Sequence, residues 1–315
     1  MSHSIPLNLL DADDTDSEKK VATAIQNLVD GSLDPTAAAK LIHQTIIDDC
    51  RDAQASLTSA SSTAPEQSEK GPQPDGWMKF VWDCLGKAAM KVPADHEAQD
   101  KLIALVQELQ QLPKTRIPWV AVGGATETTL WELTKENGYA GLAQWLWELN
   151  EGTFTQYMKG NSSAATAYLN FSAFLSRLFA SGTADTIRLS ALLRPSPFAT
   201  GALSSMVRDA DQYQPYVSAG AQWILHAGNT LYELCEDHIL IEVGKQRFTK
   251  TLWLSWKVKF EALGEEDEFS TEVRDIARRA VAAMDQIEGA GVDPTKSVVE
   301  KFGYIRPLEV DDEAP

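Results

Sequence analysis

Residues 213–237, YQPYVSAGAQWILHAGNTLYELCED, constrain the fold more than any other stretch. At 100° per residue, Trp223, Leu234, Ala227, Gly220, Leu231, Ile224, Cys235, Val217 and Gly228 fall on one broad apolar arc. Ser218, Gln222, His226, Asn229, Glu233 and Asp237 share the narrow remainder, which is expected to face solvent. An arc that wide belongs to a helix packed against several neighbours. Pro215 suits a first turn, where its missing N–H costs nothing. Gly220 and Gly228 lie on the apolar side although each costs about 1 kcal/mol of helix propensity relative to Ala. Close approach of another helix accounts for them. The stretch predicts the buried hub of an all-α fold, an irregular bundle of about ten helices.

The remaining periodic segments agree with that hub. Residues 17–55 read as a helical pair, the second helix opened by Asp34 as cap and Pro35 at the first position. Residues 56–75, SLTSASSTAPEQSEKGPQPD, hold too little apolar surface to offset their ordering entropy and read as a disordered linker. A main helical domain follows over 76–290. Its helices begin at Trp77, after Asp95 as cap, at 163–180, at 252–263 and after Ser270 as cap. Short helices are expected around Trp131, at 139–150 and at 184–193. Lys114 to Gly124 and residues 196–212 read as loops, and no strand pattern of useful length is present. Residues 1–16 read as a loose acidic tail, and 291–315 as an extension with a second acidic tail.

Charge excludes some partners. The chain of 315 residues carries 45 acids against 28 bases, a formal net charge of −17. That field repels nucleic acid and anionic membrane, so neither is expected as a partner. No apolar run reaches transmembrane length and no signal peptide is evident, which places the chain inside the cell, in the cytoplasm. Cys50, Cys84 and Cys235 read as reduced core thiols.

Five landmarks in order are HEAQDKLIALVQELQQLP, YLNFSAFLSRLF, AGAQWILHAGNTLYEL, LWLSWKVKFEAL and TEVRDIARRAVAAMDQIE. Together they resemble a family of all-helical proteins of filamentous fungi catalogued only as a domain of unknown function. The resemblance covers roughly residues 77–288. It implies a fungal source and an intracellular helical domain, and brings no reaction, cofactor or catalytic residue with it.

Candidate chemistry is sparse. Asp48, Asp49 and Asp52 have the spacing D-D-x-x-D, similar to the Mg²⁺-binding motif of class I terpene synthases. Asn229, Glu233 and Asp237 stand at the steps of that family's second metal motif but differ from it at the last two positions. The plainer reading is a solvated acidic helix end. His226 and Glu233 share a helix face and form a conceivable acid–base pair, against the plainer reading of a surface His. VGGATE at 122–127 suits an anion at a helix N-terminus, or simply a loop. Asn170, Arg177, Tyr168 and Trp223 are candidates for a ligand pocket, or for polar groups satisfied within a core. The nine Trp can line an apolar cavity, although aromatics at helical spacing are more often plain core.

Two function classes follow. The leading one is a non-enzymatic protein that binds a protein partner or a small apolar molecule, with no cofactor. The alternative is a helical enzyme on an apolar substrate, such as a Mg²⁺-dependent terpene-cyclase-like lyase using the Asp48–Asp52 string.

Overall fold

The computed structural model describes residues 5–59, 71–121, 124–146, 148, 149, 152, 162–186, 210–237, 239–241, 246–291, 301 and 302. Most of the linker expected at 56–75, most of the helix expected at 184–193 and the acidic C-terminal tail lie outside them. The contacts divide the chain into two compact units, Met1–Leu149 and Asn150–Pro315. That boundary falls elsewhere than the linker at 56–75. The described architecture is all-α with two small antiparallel strand pairs.

The first unit holds α1 (Asp16–Val29), α2 (Pro35–Ser59), α3 (Pro74–Lys91) and α4 (Ala98–Gln111). Thr15 opens α1 with a reciprocal cap. Its hydroxyl accepts from the Glu18 N–H, and the Glu18 carboxylate accepts from the Thr15 N–H. Asp34 caps α2 as expected, accepting from the Ala37 N–H at 2.7 Å. Asp95 does not cap α4. The His96 Nδ1 takes that role and accepts from the Ala98 N–H at 3.1 Å. The inner faces close around Ile25, Leu28, Ile42, Ile46, Val81, Leu85, Leu102 and Val106, all buried. Each such side chain contributes about 1.5–3 kcal/mol when fully buried.

Four further sequence expectations in this unit need correction. Residues 5–14 are not a loose tail. Leu7 and Leu9 are buried, and the Gln26 amide holds the segment by accepting from the Leu7 N–H (3.0 Å) and donating to the Ile5 carbonyl (2.9 Å). The loop expected at 114–124 is instead half of an antiparallel pair, β1 (Arg116–Ala121) with β2 (Gly124–Thr129), in the register Arg116↔Thr129 to Ala121↔Gly124. Pro118 is tolerated because each strand of a two-stranded ribbon has a free edge. Trp131 lies in a turn, not a helix, with φ 60, and helix at 139–150 is delayed to residue 142.

The second unit holds α5 (Ser162–Ala180), α6 (Ala210–Glu236), α7 (Lys250–Glu265) and α8 (Thr271–Ala290), with a two-residue pair β3 (Leu240–Ile241) and β4 (Gln246–Arg247). The hub expected at 213–237 is α6, which packs on α5, α8 and α7. Trp223, Ile224 and Leu231 are buried, as the periodicity requires. The helix starts earlier than expected, so Pro215 stands in its second turn.

A Cβ on Gly228 would lie 2.6 Å from the Ile287 Cδ1, so α8 does approach the glycine face closely. Ser270 caps α8 through the Val273 N–H, as expected. Its end lies at Gly291, with φ 70, rather than at Gly289. Trp253 stacks obliquely on Tyr232, with ring centroids 5.0 Å apart, and donates to the Glu288 carboxylate at 2.7 Å. Lys257 bridges Glu288 and Asp285, at 2.6 Å from each.

The solvent strip expected on α6 is largely absent. Asn229 is exposed, but Gln222 and Glu233 are buried, and Ser218, His226 and Asp237 are half-buried. Helices on several sides enclose the polar residues along with the apolar arc.

Candidate functional site

A groove of about 430 Å³ opens in the first unit, lined by residues of four local segments. The start of α3 supplies Asp75, Met78, Lys79 and Trp82. The end of β2 and the turn after it supply Thr128, Thr129 and Glu132. Asn137, Ala140 and Gly141 form one wall. Gln144, Trp145 and Glu148 come from the helical stretch that begins at 142.

The wall is a backbone conformation that L-residues rarely adopt. Gly138, Tyr139, Ala140 and Gly141 have φ of 61, 57, 54 and 79, one left-handed turn of four residues. Glycine accepts this freely, but a residue with a Cβ pays about 1–2 kcal/mol. Asn137 holds the turn in place. Its Oδ1 accepts from the Thr134 and Ala140 N–H groups, and its amide nitrogen donates to the Glu132 carbonyl. The buried Trp82 donates to the Ala140 carbonyl at 3.0 Å.

The neighbouring left-handed residue, Trp131, is pinned as firmly. Lys114 Nζ donates to its carbonyl at 2.7 Å, and its indole N–H donates to the His43 Nδ1 at 2.9 Å. Burial lowers the pKa of both Lys114 and His43. A neutral His43 is the form that accepts from the indole.

The groove is acidic and aromatic. Its lining carries three carboxylates, Asp75, Glu132 and Glu148, against one ammonium, Lys79. Asp75 accepts from the Thr128 hydroxyl (3.1 Å), which itself accepts from the Trp119 indole. Glu148 accepts from Gln144. Lys79 Nζ lies 5.1 Å from the centre of the Trp145 ring, within cation–π range. The Trp145 indole N–H is shielded from solvent and has no hydrogen-bond partner among the described residues.

The site residues expected from sequence lie elsewhere. Asp48 and Asp52 are exposed, and Asp48 is engaged by Arg51 (3.0 Å) and Gln44 (2.9 Å). Asp49 is half-buried and accepts from the Trp77 indole at 3.0 Å, tying α2 to α3. Burial, and after it the negative charge of Asp49, push the Cys50 thiol up to about 11. Asn229, Glu233 and Asp237 belong to the second unit, so the two acidic strings are not parts of one unit. Among the described residues, no group of three or more His, Cys, Asp or Glu side chains is placed to hold a metal ion.

His226 is not a surface histidine. Its Nε2 lies 3.1 Å from the Gln222 Oε1. Burial, then the charges of Arg177 and Arg279, lower its pKa to about 4. A base that weak takes up little of a proton near neutrality, which removes the motive for pairing it with Glu233.

On α5, Asn170 is buried and Arg177 donates to the Ala173 carbonyl of its own helix at 3.2 Å. Tyr168 packs edge-on against Tyr216, and Trp223 lies tilted against Phe179. Trp77, Trp82, Trp131, Trp223, Trp253 and Trp256 are core residues. Trp147 lies outside the described residues. Of VGGATE, Gly124 to Glu127 lie in β2, not before a helix; the two residues before them lie outside the described residues.

A protein-family model described as "Protein of unknown function (DUF3632)" matches residues 82–260, more than half of the chain. The chain belongs to this family. The DUF3632 span begins at Trp82, which anchors the left-handed turn, and takes in that turn, Trp145 and the hub helix α6. Asp48, Asp49 and Asp52 lie before it, as do Asp75 and Lys79. No curated protein and no solved structure matches the chain. No helix among the described residues is long and apolar enough to cross a membrane.

The sequence reading touched the groove only through Trp82 and Trp145, as members of the nine-Trp set, and missed its other lining residues. One signal was present: the string Asn137-Gly138 with Gly141 three residues on, which marks a turn needing positive φ.

Proposed function

We propose that the protein works by binding rather than by catalysis, and that the groove of the first unit holds a small ligand. The observation that carries this reading is the wall at 138–141. Strained backbone at Tyr139 and Ala140 is held by Asn137 and Trp82 beside an open volume, and strain of that kind gathers at ligand sites. The volume is within the usual range for small-molecule pockets.

The groove's neutral polar side chains support a binding role. Asn137 spends its amide on backbone, Thr128 bridges Trp119 and Asp75, and Gln144 bonds Glu148. They shape the site and are already engaged. The three free, buried thiols fit a reducing intracellular setting.

The test is a melting-temperature screen of the full chain against small molecules of varied charge, repeated with Gln144→Trp. Gln144 is exposed on the rim, so a Trp there fills the groove without disturbing the core. The reading expects at least one class of molecule to raise the wild-type melting temperature and to lose that effect in the variant. Equal shifts in both proteins would place the binding elsewhere, and no shift with any class would remove the reading.

A further inference from the structure

We infer that the ligand of this groove carries an alkylammonium group, seated on the face of Trp145 and surrounded by Asp75, Glu132 and Glu148. The inference rests on the binding role proposed above and adds the chemical class.

Three independent features converge on it. The first is the contact between Lys79 and Trp145. An ammonium already stands 5.1 Å from that ring centre, so the geometry for holding one exists within the chain. Lys79 is exposed and sits on a flexible stem, so it can leave the ring when another ammonium arrives.

The second is negative charge that no close ion pair neutralises, although Glu132 also feels the Lys114 ammonium. Asp75 and Glu148 accept only from neutral donors, Thr128 and Gln144, in the contacts described. Among the described residues, none of the three lining carboxylates forms an ion pair. A groove with an aromatic face and carboxylates at its rim has the two components used to recognise ammonium ligands. The net charge of −17 adds a field that draws cations towards the surface.

The third is the freedom of the aromatic platform. The indoles of Trp77, Trp82, Trp119, Trp131 and Trp253 are each fixed by a hydrogen bond. Among the described residues Trp145 has none, so no hydrogen bond fixes the orientation of its ring. Gly141 beside it leaves room, because a Cβ there would meet nothing within 4 Å.

The alkylammonium has two natural sources, a free polyamine and a lysine side chain of another protein. Titration calorimetry on the full chain would use spermidine, Nα-acetyl-lysine N-methylamide and an unstructured lysine-containing peptide, with a neutral alcohol of matching size as control. All three ammonium probes should bind and the alcohol should not. Lys79→Met removes the internal competitor and should tighten binding by about threefold to tenfold. Trp145→Leu should abolish it while the melting temperature shows a folded protein. A tighter peptide than spermidine assigns the site to a protein side chain, and the reverse order to a free amine; either supports the inference.

Two outcomes would overturn it. Ammonium binding that Trp145→Leu leaves unchanged puts the cation elsewhere. Selective binding of neutral or anionic molecules, abolished by Gln144→Trp, leaves the binding role standing and removes the cation alone. Failure of every class in the wild type removes both.

Discussion

Replacing glycine by alanine at two positions separates backbone strain from every other effect. A Cβ at Gly141 or at Gly289 meets nothing within 4 Å, so neither substitution creates a clash. Gly141 has φ 79, whereas Gly289 lies within α8. In the left-handed region an alanine costs about 1–2 kcal/mol, offset by about 0.4–1 kcal/mol because the unfolded chain is stiffer. Gly141→Ala should therefore destabilise the first unit by about 1 kcal/mol. Gly289→Ala should stabilise the second by about 0.5–1 kcal/mol, the helix-propensity difference.

Ala140→Gly works in the opposite sense at φ 54 and should stabilise by up to about 1 kcal/mol. Urea unfolding read by hydrogen exchange assigns each change to its own unit. If Gly141→Ala leaves the protein as stable as wild type, residue 141 is not left-handed and the account of the groove wall fails.

Asp49→Asn should cost about 1–2 kcal/mol, because a charged acceptor of the Trp77 indole is lost in a half-buried place. Asp48→Ala and Asp52→Ala should stay within about 0.5 kcal/mol, being exposed; equal losses at all three in urea titration would show a shared role. His226 has a folded pKa of about 4, below the ordinary 6.5, so its contribution is complete above pH 6.5 and is lost as pH falls from there towards 4. The loss at pH 5 is at most about 2 kcal/mol, and nearer 1 after allowing for the exposed part of the ring. His226→Gln should flatten the pH dependence of the melting temperature in that window, and an unchanged slope would refute the assignment. Glu288→Ala removes the acceptor of the Trp253 indole and one partner of Lys257, and should cost about 2 kcal/mol by chemical denaturation.

The helices were legible in the sequence because their apolar residues recur at the helical period and their ends carry caps such as Asp34 and Ser270. The hub could be read from the width of one apolar arc. Its polar strip was misread because periodicity reports which side is most apolar, not whether the other side is open. Gln222 and Glu233 are buried by helices whose placement no local pattern encodes.

The β1–β2 pair was missed for a different reason. Its strand character resides in Thr126, Thr128 and Thr129, which are β-branched but not apolar, and in a strand that contains Pro118. The groove was illegible because it is made by a turn. Lys79, Glu132 and Trp145 are unremarkable in the chain until residues 138–141 reverse its direction and bring them around one volume.

The docked segment around Leu7 bears on how the protein can be handled and broken down. Leu7 is seated with no exposure and latched by a single glutamine side chain, so the segment is a stopper rather than a strap. Trimming the chain to Asp11 would uncork the first unit and bare the greasy seat beneath. Cleavage between Leu9 and Asp11 would thus convert a shielded unit into a sticky one.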